Sequence, residues 1–338
     1  MVIFLSIDRL LYLSLNMTER DTSKGHIQQV DYIRAIASLA VALFHLGGKA
    51  LPVLKYGWLG VHMFFLLSGF IICWSMPADY TWKMSGRFVG KRITRIEPPY
   101  IISIGLAIVM NFIVLSHYKP DWFNIACHLA YLNSFLGKPY LSPVYWTLGI
   151  EFQFYLFVAL CFPWLHSKWG PWFLLVLCIV PTVVNVPGGL LFGVFPVFGL
   201  GILYYLYLKK IAGINTVLFL SVLIVVCCIY TVGWLPAGMA LFTLLLLIAP
   251  LKSYAVVSFF SKISFSLYLT HDMVGSRLVV YMGTKLPKTV LFKGIEFLTG
   301  IVVSILFAYL FYLLVERPFF KLSKRISYNL ISQDQFSE

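Results

Sequence analysis

Long apolar runs alternate with short polar ones from residue 32 to residue 315. A membrane-spanning helix needs about 20 mostly apolar residues. Ten stretches approach that length: 32–50, 57–76, 99–118, 143–165, 170–187, 189–208, 213–231, 235–251, 261–282 and 294–315. A turn-like VPGG at Val186 to Gly189 separates the fifth from the sixth, and Gly233 to Pro236 separates the seventh from the eighth. A short aromatic segment, Trp122 to Phe135, is predicted to lie in the membrane interface or to re-enter. The pattern has no fixed internal period, no low-complexity tract and no soluble domain longer than a loop. The predicted fold class is therefore all-α, a polytopic transmembrane helical bundle of about ten spanning helices. Residues 1–30 form an N-terminal segment, 31–320 the membrane domain and 321–338 a C-terminal tail.

Composition agrees with the pattern. The chain is 60% hydrophobic and only 12% charged, against roughly 25% charged in soluble proteins. A formal charge of +13 does not point to nucleic acid, because that requires a basic face on a soluble fold. Charge instead orients the bundle, since Lys and Arg collect in cytoplasmic loops. Arg9, Arg20 and Lys24, then Lys83, Arg87, Lys91, Arg92 and Arg95, then Lys209 and Lys210, then Arg317, Lys321, Lys324 and Arg325 fall on one side of a ten-span arrangement. Both termini are predicted to be cytoplasmic, and the basic loops to meet anionic membrane lipids. The six cysteines form no CxxC pair and, Cys127 apart, lie in apolar runs. They read as buried thiols, with no metal site expected. The first sixteen residues lack the marks of a cleaved signal, and the polar stretch opening at Met17 reads as the natural start.

Ionisable residues inside such runs cost about 2.5–3.5 kcal/mol each at a helix centre, so they mark the bundle interior or a functional cavity. Arg34 and His45 are eleven residues apart in DYIRAIASLAVALFHLGG. That is close to three helical turns, so they share a stripe with Ser38, about 16 Å apart along the axis. Arg34 could snorkel to the headgroups and His45 could be a satisfied interior histidine; alternatively the imidazole is a general base. In the second run, Gly57 and Gly60 allow close helix approach, and Ser68-Gly69 offer a hydroxyl and bare backbone to a ligand or simply to packing. In RFVGKRITRIEPPY, Arg92 and Arg95 share a face if helical, with Pro98-Pro99 ending that turn. They are a topology signal, an anion clamp, or both. Thr147, Glu151 and Tyr155 lie at i, i+4 and i+8 on the fourth run, where the carboxylate needs a partner or a proton. Weaker signals are Ser264, Tyr268 and His271 on one face with Asp272 beside them, and Glu316-Arg317-Pro318, which reads as a helix stop. His62, His117, His128 and His166 have no partner that the sequence names.

These pieces together resemble the acyltransferase-3 family of bacterial membrane acyltransferases, from Val30 to Phe320. They occur in the family's order: Arg34 and His45; Gly60-Val61, Phe64-Phe65 and Ser68-Gly69-Phe70; Arg92 and Arg95 before Pro98 and Tyr100; Tyr145-Trp146-Thr147-Leu148 before Glu151 and Tyr155; Ile263 to Leu269 before His271; and Glu316-Arg317-Pro318. Thr147 stands where Ser is usual, and Glu97 where a hydrophobic residue is common. The fused extracytoplasmic domain of some relatives is not seen, so the chain would act alone or with a separate partner.

The resemblance implies acyl transfer in the bacterial inner (plasma) membrane. The donor would be cytoplasmic acyl-CoA, acetyl-CoA by default, as a substrate with no permanently bound cofactor and no metal. The acceptor would be a hydroxyl of exopolysaccharide, lipopolysaccharide or a lipid-linked precursor. In that scheme Arg34, Arg92, Arg95, Ser68 and Gly69 bind the donor. His45 is general base or transient acyl carrier, and Arg34 and Glu151 assist it, Glu151 by positioning the acyl group or fixing the histidine tautomer. A transporter or flippase for an anionic or glycan-linked substrate, and a non-catalytic binding subunit, are the alternatives.

Overall fold

The structure, a computed structural model, describes residues 27–114, 117–187 and 189–328. The Met17 start, the segment before residue 27 and the tail after residue 328 lie outside the described residues. Every regular element among those described is helical. In chain order the α-helices are α1 (Gln28–His45), α2 (Gly60–Trp74), α3 (Ser85–Val114), α4 (Trp122–Leu129), α5 (Asn133–Leu136), α6 (Trp146–Leu165), α7 (Gly170–Val183), α8 (Leu191–Leu208), α9 (Ile214–Val232), α10 (Trp234–Ile248), α11 (Ala255–His271), α12 (Arg277–Lys285), α13 (Val290–Phe311) and α14 (Arg317–Ser323). Each of the ten apolar runs overlaps helical structure, the ninth being divided between α11 and α12. Six helical segments are long and apolar enough to cross a membrane by length and composition; α7 and α10 are apolar but shorter.

Burial sorts these helices into interior and perimeter. Fifteen of the eighteen residues of α8 are buried, whereas α9, equally apolar, buries four of nineteen. An apolar helix with Phe219, Val222, Val226 and Tyr230 exposed is sensible only against lipid. In α13 the buried residues Gly300, Ser304, Ala308 and Phe311 form one stripe of mostly small side chains, and the rest of the helix faces outward. That stripe lets α13 pack closely against α11. At the centre, α2 crosses α8 through two reciprocal glycines. A Cβ at Gly69 would meet the Phe198 carbonyl, and one at Gly201 would meet the Leu66 carbonyl. Gly57 and Gly60 serve the same purpose against the Ala40 and Ala37 carbonyls of α1, as the sequence predicts.

Two boundaries depart from expectation. Pro98-Pro99 does not end a turn; α3 runs through both prolines from Ser85 to Val114. Neighbouring helices can hold a proline-containing segment inside a membrane bundle, and here α14 packs along α3. Beyond the prolines, the Tyr100 ring stacks on Tyr131 at 5.3 Å and meets Tyr145 edge-on at 5.0 Å. Arg92 and Arg95 therefore sit on a continuous helix and not in a loop. Likewise Glu316-Arg317-Pro318 is not a helix stop. The chain passes through a π-helical turn, Tyr312–Glu316, and continues as α14. Proline at the first turn of a helix is well tolerated. Glu316 is buried and accepts hydrogen bonds from the Ser266 hydroxyl (2.6 Å) and amide (3.2 Å), tying this turn to α11. A second π-helical turn, Asp272–Ser276, joins α11 to α12.

The aromatic segment after α3 folds as the short helices α4 and α5. Buried His128 organises them: its Nδ1 lies 2.8 Å from the Asn124 carbonyl, and its Nε2 accepts from the Leu141 amide at 3.0 Å. Burial lowers its basicity, in keeping with a neutral ring held by one donor and one acceptor. Glu97 accepts from the Tyr131 hydroxyl at 2.8 Å.

Candidate active site

Two cavities lie along α1, at opposite ends of it. The first, about 350 Å³, is reached from the start of α1. Arg34 enters it from α1, Ser68 and Ser75 from the end of α2, and Lys91, Arg92 and Arg95 from the start of α3. Thr147, Glu151 and Tyr155 come from α6, and Lys324 follows α14. Five cationic side chains thus converge on one chamber. Their positions are determined individually. The Arg34 Nε donates to the Ser264 hydroxyl at 3.0 Å, and an Arg92 amino group donates to the Ser75 hydroxyl at 2.6 Å. The Arg92 guanidinium also lies over the Phe88 and Tyr155 rings at 5.5 and 5.7 Å, and that of Arg95 over Phe320 at 4.9 Å. Aromatic stacking and single hydroxyl partners leave much of each guanidinium fork free for an anion.

The predicted face of α6 is correct, since Thr147, Glu151 and Tyr155 all line this chamber. The Glu151 carboxylate accepts from the Tyr155 hydroxyl and, at 3.4 Å, from the Ser68 hydroxyl. It is held by hydroxyls, within the same chamber as the arginines. Gly69 does not line the chamber; its bare face is used against α8.

The second cavity, about 420 Å³, lies at the other end of α1. His45, the last residue of α1, lines it with Phe44, and so do Trp58 and His62 around the start of α2. Val144 and Trp146 contribute from the start of α6, with Val232 and Pro236 from the α9–α10 junction. Arg34 and His45 therefore serve different cavities, as three turns of helix require. The His45 ring lies 5.4 Å from that of His271, on α11. The buried His271 Nδ1 is 2.9 Å from the Leu267 carbonyl, so it carries the proton and its Nε2 is left as an acceptor. Asp272 accepts from the Ser142 hydroxyl at 3.0 Å beside this pair.

Val61 and Tyr268 line both cavities. The Tyr268 hydroxyl is 2.7 Å from that of Thr147, and its ring meets Phe64 edge-on at 5.6 Å. Tyr268 is thus the wall where the two chambers meet. The faint sequence signal of Ser264, Tyr268 and His271 on one face is structurally coherent. One helix, α11, supports Arg34 from Ser264 near its middle, forms the dividing wall a turn later at Tyr268 and places the His271 imidazole near His45 at its C-terminal end. Sequence reasoning missed Lys91, Ser75, Lys324, Trp58 and His62. Nothing in their local spacing distinguishes them from ordinary loop or packing residues.

Fold and site together define a multi-pass helical membrane protein with a cationic chamber abutting a histidine-bearing one. The chain belongs to the acyltransferase-3 family, whose acyltransferase domain it matches over residues 27–313. It is 30% identical over 153 residues to the ORF330 protein of Acidianus two-tailed virus, covering 44% of this chain and 45% of that one. It is 28% identical over 170 residues to O-acetyltransferase OatA of Staphylococcus aureus, covering 45% of this chain and 27% of the relative. It is also 28% identical over 151 residues to peptidoglycan O-acetyltransferase OatA of Listeria monocytogenes, covering 40% and 24%. The chain thus aligns with less than half the length of each of these relatives. No solved structure matches it.

Proposed function

We propose that this protein is a membrane O-acetyltransferase. It takes an acetyl group from cytoplasmic acetyl-CoA and transfers it to a hydroxyl of a cell-envelope glycan such as exopolysaccharide, lipopolysaccharide or a lipid-linked precursor. It acts in the bacterial plasma membrane as a bundle of about ten spans with both termini cytoplasmic. The observation that carries this reading is the shared wall: a chamber with five cations meets a chamber with His45 at Val61 and Tyr268. Coenzyme A is a polyanion on a long flexible arm. Arg92, Arg95 and Lys324 suit its phosphates, and Arg34, held by Ser264, lies deeper along α1.

With the thioester at the Tyr268 wall, the acceptor hydroxyl oxygen attacks the carbonyl carbon while its proton passes to His45. The carbon–sulfur bond then breaks. CoA leaves as thiolate and takes up that proton to become the thiol. Because Glu151 lies in the cationic chamber, its assignment shifts from the histidine tautomer to shaping the donor site with Ser68 and Tyr155. The imidazole beside His45 is His271, which suits the orienting role. The relatives named as O-acetyltransferases support the reaction class.

The test uses purified protein in lipid with labelled acetyl-CoA and the envelope glycan fraction of the producing cells. Label on glycan is the expected result. Unmodified glycan crossing sealed vesicles, with no label transferred, would replace the enzyme with a transporter.

A further inference from the structure

The chamber around His45 differs in kind from the one around the arginines. Four aromatic side chains, Phe44, Trp58, Trp146 and Tyr268, form much of its wall. None of its twelve lining residues is Lys, Arg, Asp or Glu. Its volume of about 420 Å³ falls within the range of small-molecule sites, roughly 300–1,000 Å³. The two tryptophans are oriented by neighbours: Trp58 meets His62 edge-on at 5.6 Å, and Trp146 meets Phe65 edge-on at 6.0 Å. His62 is only 6% exposed, and its Nδ1 has no hydrogen-bond partner among the described residues.

No Lys or Arg on the wall meets an anion, Lys49 lying outside it over the Phe44 ring at 5.0 Å, and a purely hydrocarbon ligand would leave His62 unsatisfied. A pyranose ring meets both conditions, with C–H faces that lie against indole and a rim of hydroxyls for imidazole. We propose that this chamber is the acceptor subsite and takes a neutral sugar ring of the glycan. The ring stacks on Trp58 and Trp146, one hydroxyl meets His62, and the reacting hydroxyl faces His45. The proposal rests on the acetyltransferase reading and adds a direction to it. Acceptor enters at the end of α1 opposite the donor, and the acetyl group passes between them beside Val61 and Tyr268.

The experiment uses full-length protein in lipid nanodiscs, with transfer from labelled acetyl-CoA to the producing cells' envelope glycan fraction. Acetyl-CoA and glycan are titrated separately. Trp58→Ala and Trp146→Ala are each expected to raise the glycan KM about tenfold or more while the acetyl-CoA KM moves by less than about twofold. His62→Ala raises the glycan KM, and His62→Gln restores part of it. Should the tryptophan variants fail to insert, Val232→Cys on the same wall replaces them. Blocking that thiol with a bulky maleimide is expected to cut glycan transfer about tenfold with acetyl-CoA affinity retained, wild type being treated in parallel. Unchanged glycan KM in the tryptophan variants, a donor KM rising in step, or full transfer by blocked Val232→Cys would overturn the subsite alone. Wild type that labels no glycan would overturn the enzyme reading, and the subsite with it.

Discussion

The two chambers share a wall but are built on opposite physical principles. The first is assembled from charge, with Arg34, Lys91, Arg92, Arg95 and Lys324 drawn from three separate stretches of chain. The second is assembled from aromatic surface and imidazole, with no Lys, Arg, Asp or Glu on its wall. Cations in a bundle are costly, and here several are held by stacking on Phe88, Tyr155 and Phe320 and by single hydroxyls. On the proposed reading, binding of an anionic donor and presentation of a neutral acceptor are separable properties of separate residues.

The largest expected effect tests that separation from the histidine side. His45→Ala should lower the transfer rate by about 10²–10⁴-fold, the usual contribution of a general base, with acetyl-CoA affinity unchanged by equilibrium binding. A parallel loss of donor affinity would merge the two chambers into one site. Next is the cationic side. Arg92→Ala with Arg95→Ala should weaken acetyl-CoA binding about 100-fold, from charge-assisted hydrogen bonds of about 1.5–3 kcal/mol each. The wild-type affinity should also fall as salt rises. Unchanged affinity by calorimetry would leave these arginines as topology signals only.

A smaller effect should strike both chambers together. Glu316→Ala leaves the Ser266 hydroxyl and amide without their buried acceptor. The expected loss is about 1–3 kcal/mol of stability in thermal unfolding. Because α11 carries both Ser264 and Tyr268, donor and glycan KM should rise in similar proportion. The smallest effect is at the wall itself. Tyr268→Phe removes the hydroxyl contacts with Thr147 and the Val144 carbonyl, about 1 kcal/mol each, and should change turnover a few-fold. Tyr268→Ala, which removes the ring, should let longer acyl-CoA donors react, as read by competition between acetyl- and butyryl-CoA.

Most of the helices were legible in the sequence because each had to be apolar over nearly its whole length, and all ten runs overlap helical structure. The boundaries at Pro98-Pro99 and Glu316-Pro318 were not, since a proline after an apolar or basic run reads as a break, whereas α3 continues through its prolines with α14 alongside and a π-helical turn carries the chain into Pro318. In the site, Arg34, Ser68 and Glu151 were legible as polar groups in apolar runs and Arg92 and Arg95 as a basic pair just before one, and they do line one chamber. Gly69 was misread because a glycine that admits a ligand and one that admits a helix look alike until the Phe198 carbonyl is seen against it. The aromatic chamber was invisible for a related reason. Tryptophans near span ends read as interfacial anchors, and only the meeting of α1, α2, α6 and the α9–α10 junction turns them inward.

The wall shared by Val61 and Tyr268 also has a kinetic consequence. If each substrate has its own doorway, neither product obstructs the other substrate's approach. Both substrates must be bound at once for the acetyl group to cross, so initial-rate plots should intersect and not run parallel. Free CoA should compete with acetyl-CoA but be noncompetitive against glycan. A compound too large for the arginine chamber could still stop the enzyme from the other end, without ever meeting the acyl donor.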